Sequence, residues 1–501
     1  MNLHAILSIL VFSPLLGIAV LALMPKDQEK SIKLVGFLAT LPALLISLAA
    51  YAHYLAGKHL SDFSVSVEWI HFRGMNVEAP YFAVNYELAL SGFQLLLVVL
   101  TAVVATLASI AARYVKKEWK GFFMLFLLLE VGMLGVFTAE NLILFFIFFE
   151  VTLIPTFFLI GKWGYFEREK AAYSFLIYNG LGSAVLLIVI MILFAKTGTT
   201  NINILKDILA DPSAPVSGDL KLGLLIALLV AFGVKLPIFP LHSWMLRVHV
   251  QAPVPTVMIH SGILLKIGAY GLIRFGMGLF PEQFDTLSTL IAVLGVINLL
   301  YGAFLAFIQT DFKMVLAYSS ISHMGIVLIG LAAMNEAGVQ GAIFQVISHG
   351  LISALLFFIV GVLYERTDTS LIGNLGGMAK GMPVAAGFLL AGAMASLGLP
   401  GMSGFVSEFM AFLGLFKEMP WLAAVGTIGI IMTAAYLLRA VLGMTFGKSH
   451  REFTGVVDLK GVEFVPVVVL MLLIVLIGVY PSVLSSPLQA TLETIMPGLG
   501  G

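Results

Sequence analysis

Six charged residues lie inside long apolar runs of this 501-residue chain: Glu130, Glu150 in "FFIFFEVTLIP", Lys235 in "AFGVKLPIFPLHSW", Lys266 in "SGILLKIGAYG", Glu408 in "GFVSEFMAF", and Arg439. His260, His323 and His349 are titratable neighbours in the same kind of run. A charge left facing hydrocarbon costs about 3 kcal/mol on an insertion scale, so six would cost on the order of 15–20 kcal/mol. They must therefore face the protein interior, water or each other. Carboxylate, amine and imidazole each exist in two protonation states, and burial with a partner brings those states close in energy. A row of acid, base, base, histidine and acid at similar depth suits proton transfer inside a membrane. The competing reading is that acids and bases pair as polar glue between helices, but fixed pairs need no regular spread through successive spans.

Glu150, Lys235, Lys266, His349 and Glu408 are the leading relay candidates, and Glu130, His260 and His323 are further ones. His323 in "AYSSISHMG" has hydroxyl neighbours that could satisfy it structurally. Arg439 and Asp311 read as anchors of helix ends. His242 and His249 lack a third ligand in metal-binding register, so no metal site is expected. The serines stand in no nucleophile elbow, and no P-loop or dinucleotide fingerprint has a supporting context.

The elements that hold these residues follow from composition. The chain is 60% hydrophobic and 11% charged with a mean hydropathy of +1.06, whereas a soluble domain carries roughly 25% charged residues. It reads as an integral membrane protein. Zero net charge gives no sign of nucleic acid or of a polybasic surface arm. The absence of cysteine excludes disulfides, thiolate metal sites and iron–sulfur ligation on this chain. The N-terminal segment lacks a basic n-region and a cleavage site, so it reads as the first span and not as a removable signal.

Apolar runs of roughly 17 to 25 residues place spans near 4–24, 31–55, 86–112, 119–138, 141–161, 171–195, 220–246, 253–277, 285–308, 313–334, 340–364, 383–415, 421–446 and 463–483. These are about fourteen helices of an all-α polytopic membrane protein. The connections 56–85 and 196–219 read as long polar loops with few charges, while "RYVKKEWK" and "KWGYFEREK" are basic. The positive-inside rule then puts both termini on the outer side.

Two spans are interrupted. The seventh breaks at Pro237 and Pro240, and the twelfth at Gly398, Pro400 and Gly401. Proline removes a backbone donor and clashes with the preceding turn. Interrupted spans at matching places in two halves are the usual mark of inverted repeats with ion sites at the breaks. The division is 1–112, an N-terminal three-helix region; 113–278, a first repeat of helices four to eight; 279–446, a second repeat; and 447–501, a C-terminal helix. The opened backbone beside Lys235 is expected to offer it carbonyls and water.

Five stretches, "VKLPIFPLHSW", "QAPVPTVMIHSGILLKIGAYGLIRF", "DFKMVLAYSSISHMG", "ISHGLISALLFFIVG" and "GLPGMSGFVSEFMAF", closely resemble the proton-translocating family shared by antiporter-like subunits of respiratory complex I and Mrp-type sodium/proton antiporters. The resemblance covers about residues 85 to 446. Glutamate at 408 resembles the M-type branch, since L- and N-type chains and Mrp large subunits usually carry lysine there. "HSWMLRVHVQAP" departs from the family's common "HTWLPDAH".

The resemblance implies a proton-pumping membrane subunit of a quinone-reducing complex. Glu150 and Lys235 would form a regulatory ion pair, Lys266 would pass the proton across the middle, His349 with water would continue it, and Glu408 would release it outward. It also implies no cofactor on this chain, with NADH, FMN, iron–sulfur clusters and quinone on partner subunits. L-, N- and K-type membrane chains would be neighbours in a cell or inner membrane. A sodium/proton antiporter subunit and an inert membrane scaffold are the alternatives.

Overall fold

With no water in the bilayer core, backbone N–H and C=O groups must pair within their own segment, and the apolar runs do so as helices. The computed structural model describes residues 3–72, 82–448, 453 and 455–495. Spans one to six are Leu3–Leu23, Glu29–Leu38 continuing as Leu41–Leu55, Gly92–Ala111, Trp119–Thr138, Leu142–Trp163 and Arg168–Thr197. The seventh is Gly218–Lys235 followed, after a break, by Ser243–Gln251. The eighth runs from Val254 to Met277 and contains two π-helical segments, His260–Leu264 and Leu272–Met277. Spans nine to eleven are Ser288–Ile308, Phe312–Ala332 and Glu336–Thr367. The twelfth is Pro383–Ser396 and Ser403–Glu418, the thirteenth Pro420–Phe446 and the fourteenth Phe464–Val479. Among the described residues twelve helices are each long and apolar enough to cross a membrane, and the seventh and twelfth spans are the interrupted ones expected from sequence.

Three features differ from the sequence reading. The connection 56–85 is not a plain loop: Ser64–Phe72 (β1) pairs antiparallel with Phe82–Ala89 (β2), with an irregularity between Glu68 and Ile70. Its start, "SVSVEW", alternates polar and apolar side chains at the strand period. The connection 196–219 carries a short helix, Ile202–Ala210, and a further helix, Ser482–Ile495, follows the last span.

The same hydrogen-bond pattern occurs twice. Leu142 N donates to Thr200 O (2.8 Å) and Ile202 N to Glu140 O (3.0 Å); Phe312 N donates to Ser370 O (2.8 Å) and Ile372 N to Thr310 O (2.9 Å). One constant shift along the chain carries the first set onto the second. Asn141 caps span five through its own Oδ1 to Ile143 N (3.0 Å), and Asp311 caps span ten to Lys313 N (2.7 Å). Asp311 thus anchors a helix end, as expected. Arg439 does so too, bonding Phe307 O at the end of span nine and lying over the Phe307 ring.

Candidate proton pathway

The break in span seven begins one residue after Lys235, and its freed backbone groups find partners that are not Lys235. Trp244 Nε1 donates to Val234 O at 3.2 Å. Asn298, on span nine, holds two more: its Oδ1 accepts from Phe239 N at 2.7 Å and its Nδ2 donates to Pro237 O at 3.1 Å, while Ile238 N bonds Gly233 O at 2.8 Å. A buried backbone group left without its partner costs about 1–3 kcal/mol. Asn298→Leu is therefore expected to destabilise the break by a few kcal/mol, read as faster loss of the subunit from heated membranes. Unchanged retention would mean that water replaces both bonds.

Lys235 itself is buried, and its ammonium has no hydrogen-bond partner among the described residues. It lies over two aromatic faces, 4.8 Å from the Phe149 ring centre and 5.6 Å from that of Phe175, a seat that stabilises a cation through the ring quadrupoles. Glu150, next to Phe149, is half-buried with Oε1 unpartnered. No Glu150 oxygen comes within 4.0 Å of Lys235 Nζ. The expected ion pair is open here, and the opened backbone supplies Lys235 with no carbonyl.

Beyond Lys235 the next buried titratable groups stand on span eight. Phe175 lies against both Lys235 and His260, the two rings 6.1 Å apart. His260 Nδ1 faces His249 Nε2 at 3.0 Å, joining the second half of span seven to the π-helical segment. Spans seven and eight touch backbone to backbone at Gly268, where an added Cβ would stand 2.6 Å from Leu236 N. Lys266 is fully buried and donates to Ser261 O at 2.9 Å. Its Nζ also meets His349 Nδ1 on span eleven at 2.6 Å.

The rings of His349 and His323 are 5.3 Å apart, and His323 Nε2 lies 3.6 Å from Glu408 Oε1. His323 Nδ1 is 2.7 Å from Ser319 O and Nε2 is 2.9 Å from Ser396 O. Carbonyl oxygens only accept, so a ring carrying both N–H groups satisfies this seat in full. The structure places Glu408 in the second turn of the segment beyond the break. Gly398, at φ +80, leaves room for it: an added Cβ would come within 2.6 Å of Glu408 Oε2.

The structure thus brings Lys266, His349, His323 and Glu408 into one chain of contacts and sets Lys235 and Glu150 at its other end. Glu130 is buried on span four with both oxygens unpartnered among the described residues, and no contact joins it to the row. Residues not named as relay candidates from sequence lie beside these groups. His249 pairs with His260; Asn298 and Trp244 hold the first break; Tyr436 donates to Ser319 Oγ at 2.8 Å beside His323. A neutral polar residue within an apolar run was the signal available for Asn298 and Tyr436.

A family model described as NADH:quinone oxidoreductase/Mrp antiporter, transmembrane, matches residues 139–433. The chain is 36% identical over 496 residues to NADH-quinone oxidoreductase subunit M of Rhodobacter capsulatus, covering 96% of this chain and 94% of that one. It is 38% identical over 497 residues to an NAD(P)H-quinone oxidoreductase chain 4 of a Nostoc species, covering 97% and 90%. A chain of respiratory complex I from Thermus thermophilus superposes with a TM-score of 0.85 at 30% identity, covering 99% of this chain and all of that one. A chain of the Mrp complex from a Dietzia species shares the fold, with a TM-score of 0.84 at 22% identity, covering 100% and 99%. With the family model spanning more than half of the sequence and these relatives aligned nearly end to end, the chain belongs to the NADH:quinone oxidoreductase/Mrp antiporter transmembrane family.

Proposed function

We propose that this chain is a proton-pumping, M-type membrane subunit of an NADH-quinone oxidoreductase. The observation that carries the reading is the set of buried titratable groups lying between the two broken spans: Lys235, the His260–His249 pair, and the contact chain from Lys266 through His349 and His323 to Glu408. In this reading Glu150 and Lys235 form a switch. When Glu150 approaches, Lys235 keeps its proton; when the pair is open, loss of hydration without a counter-charge outweighs the modest hold of the aromatic seat and favours release toward the histidines. Lys266 then donates from Nζ to His349 Nδ1, and His323 and Glu408 receive the proton at the second break.

The repeats divide as 113–278 and 279–446, flanked by 1–112 and 447–501. NADH, FMN, iron–sulfur clusters and quinone belong to partner subunits, and the neighbours are L-, N- and K-type membrane chains. The chain sits in the cell or inner membrane with both termini on the outer side, and Glu130 is a reserve titratable group outside the main row.

The test is purification of the complex and, separately, of this chain. The complex is expected to pump protons during NADH oxidation, and the isolated chain to oxidise no NADH. NADH-driven quinone reduction by the isolated chain would overturn the reading. Sodium-dependent transport without quinone reduction would assign it to antiport instead.

A further inference from the structure

A second polar column, which the relay does not use, stands on the same face of span eight as the central lysine. One α-helical turn beyond Lys266, on the same face of span eight, stands the buried Tyr270, and beyond it Arg274. Tyr270 meets Gln94 at the start of span three, with Gln94 Nε2 3.3 Å from the phenol oxygen. The same Nε2 donates to Glu140 Oε1 at 2.8 Å. Arg274 Nη2 reaches both Glu140 oxygens, at 2.6 and 2.5 Å. From Tyr270, one turn beyond Lys266, this column leads to the face that carries the β1–β2 hairpin, where Glu140 N bonds Glu87 O at 2.9 Å.

The polarity of these bonds decides what the column can do. Gln94 Oε1 is occupied by the Ser91 backbone N–H at 2.7 Å, within the capping box that starts span three. The amide is therefore oriented by chemistry, with its NH2 group inward. That group donates to Tyr270 on one side and to Glu140 on the other, and it has no lone pair to accept a proton from either. A proton wire needs a member that accepts on one side and donates on the other, and Gln94 is a donor on both. Behind it the guanidinium of Arg274 does not release a proton at physiological pH. A fixed arginine and oriented donors exclude protons in the same way in selective pores.

We propose that Gln94, held by Ser91 and backed by Glu140 and Arg274, is a proton seal. It closes the direct route from Lys266 to the hairpin face and so commits the proton on Lys266 to His349. The inference rests on Lys266 carrying a proton, as in the proposed function.

Gln94→Glu replaces the two-sided donor by a group that can accept and release. In proteoliposomes holding the whole complex, it is expected to speed the decay of an imposed pH gradient severalfold without NADH, and to lower protons pumped per NADH while NADH oxidation continues. Gln94→Met removes the titration and the donor alike, and is expected to stay as tight as wild type. If the glutamate variant fails to assemble, Gln94→His carries the same test. A titratable variant no leakier than wild type would overturn the seal, as would a methionine variant that leaks equally, since packing alone would then be responsible. The double variant Gln94→Glu, Lys266→Ala separates the two readings: the leak should vanish with Lys266. A leak that persists would show that it does not start at Lys266 and would overturn the seal. Loss of pumping in Lys266→Ala alone would still support the relay.

Discussion

Replacing Lys235 by alanine is expected to leave the complex assembled while cutting proton pumping and coupled turnover by roughly a hundredfold, the low end of what a positioned acid–base group contributes. Assembly should survive because the ammonium makes no hydrogen bond whose loss would strand a partner. The break beside it is held by Trp244 and Asn298, which the change leaves untouched. Lys235→Arg should rescue poorly. The seat offers two aromatic faces and no acceptors for a five-donor guanidinium, and arginine holds its proton too firmly to pass it on in a cycle. Proton uptake by inverted vesicles, with subunit content measured on the same membranes, checks both variants. Equal pumping by arginine and lysine forms would remove Lys235 from the list of proton carriers.

Glu408→Gln should produce a loss of similar size by a different route. The amide keeps the shape but cannot titrate, and it withdraws the counter-charge 3.6 Å from His323 Nε2. With no titratable acceptor beyond His323, a proton that reaches its ring between the Ser319 and Ser396 carbonyls has no onward partner, and the next transfer is expected to be blocked. Glu408→Asp retracts the carboxyl from His323 by one methylene and should pump at an intermediate rate. Glu408→Lys restores a titratable group and should recover part of the activity. Wild-type pumping by the glutamine variant would mean that protons leave by another route.

The charged members of the site were legible because a charge inside an apolar run has few innocent explanations, and the two breaks because proline and glycine interrupt helices for steric reasons. Glu408 was readable from both facts together. What sequence could not give was distance. The family resemblance implies a Glu150–Lys235 pair, whereas here the lysine rests on Phe149 and Phe175, and aromatic seats leave no mark among so many phenylalanines. The His249–His260 contact joins two helices and depends on how the second half of span seven packs. Asn298 and Trp244 carry no charge and so gave a far weaker signal, although they bond backbone groups at the break that the prolines make. The β1–β2 hairpin was hidden for another reason: its alternation lay inside a connection judged by its scarcity of charge.

The twin bridges between residues 140–142 and 200–202, and between 310–312 and 370–372, have a mechanical consequence. Each ties the start of one span to the end of the next. Five crossings separate the starts of spans five and ten, which places the tethers on opposite faces of the membrane. The other rims are laced as well: Tyr165 N reaches Gln251 O at 2.8 Å in the first half, and Asn335 Nδ2 reaches Gly414 O at 3.0 Å in the second. Each half is therefore stitched at both edges, like the skin of a drum, and a change that cuts one edge leaves the other to keep its spans in register.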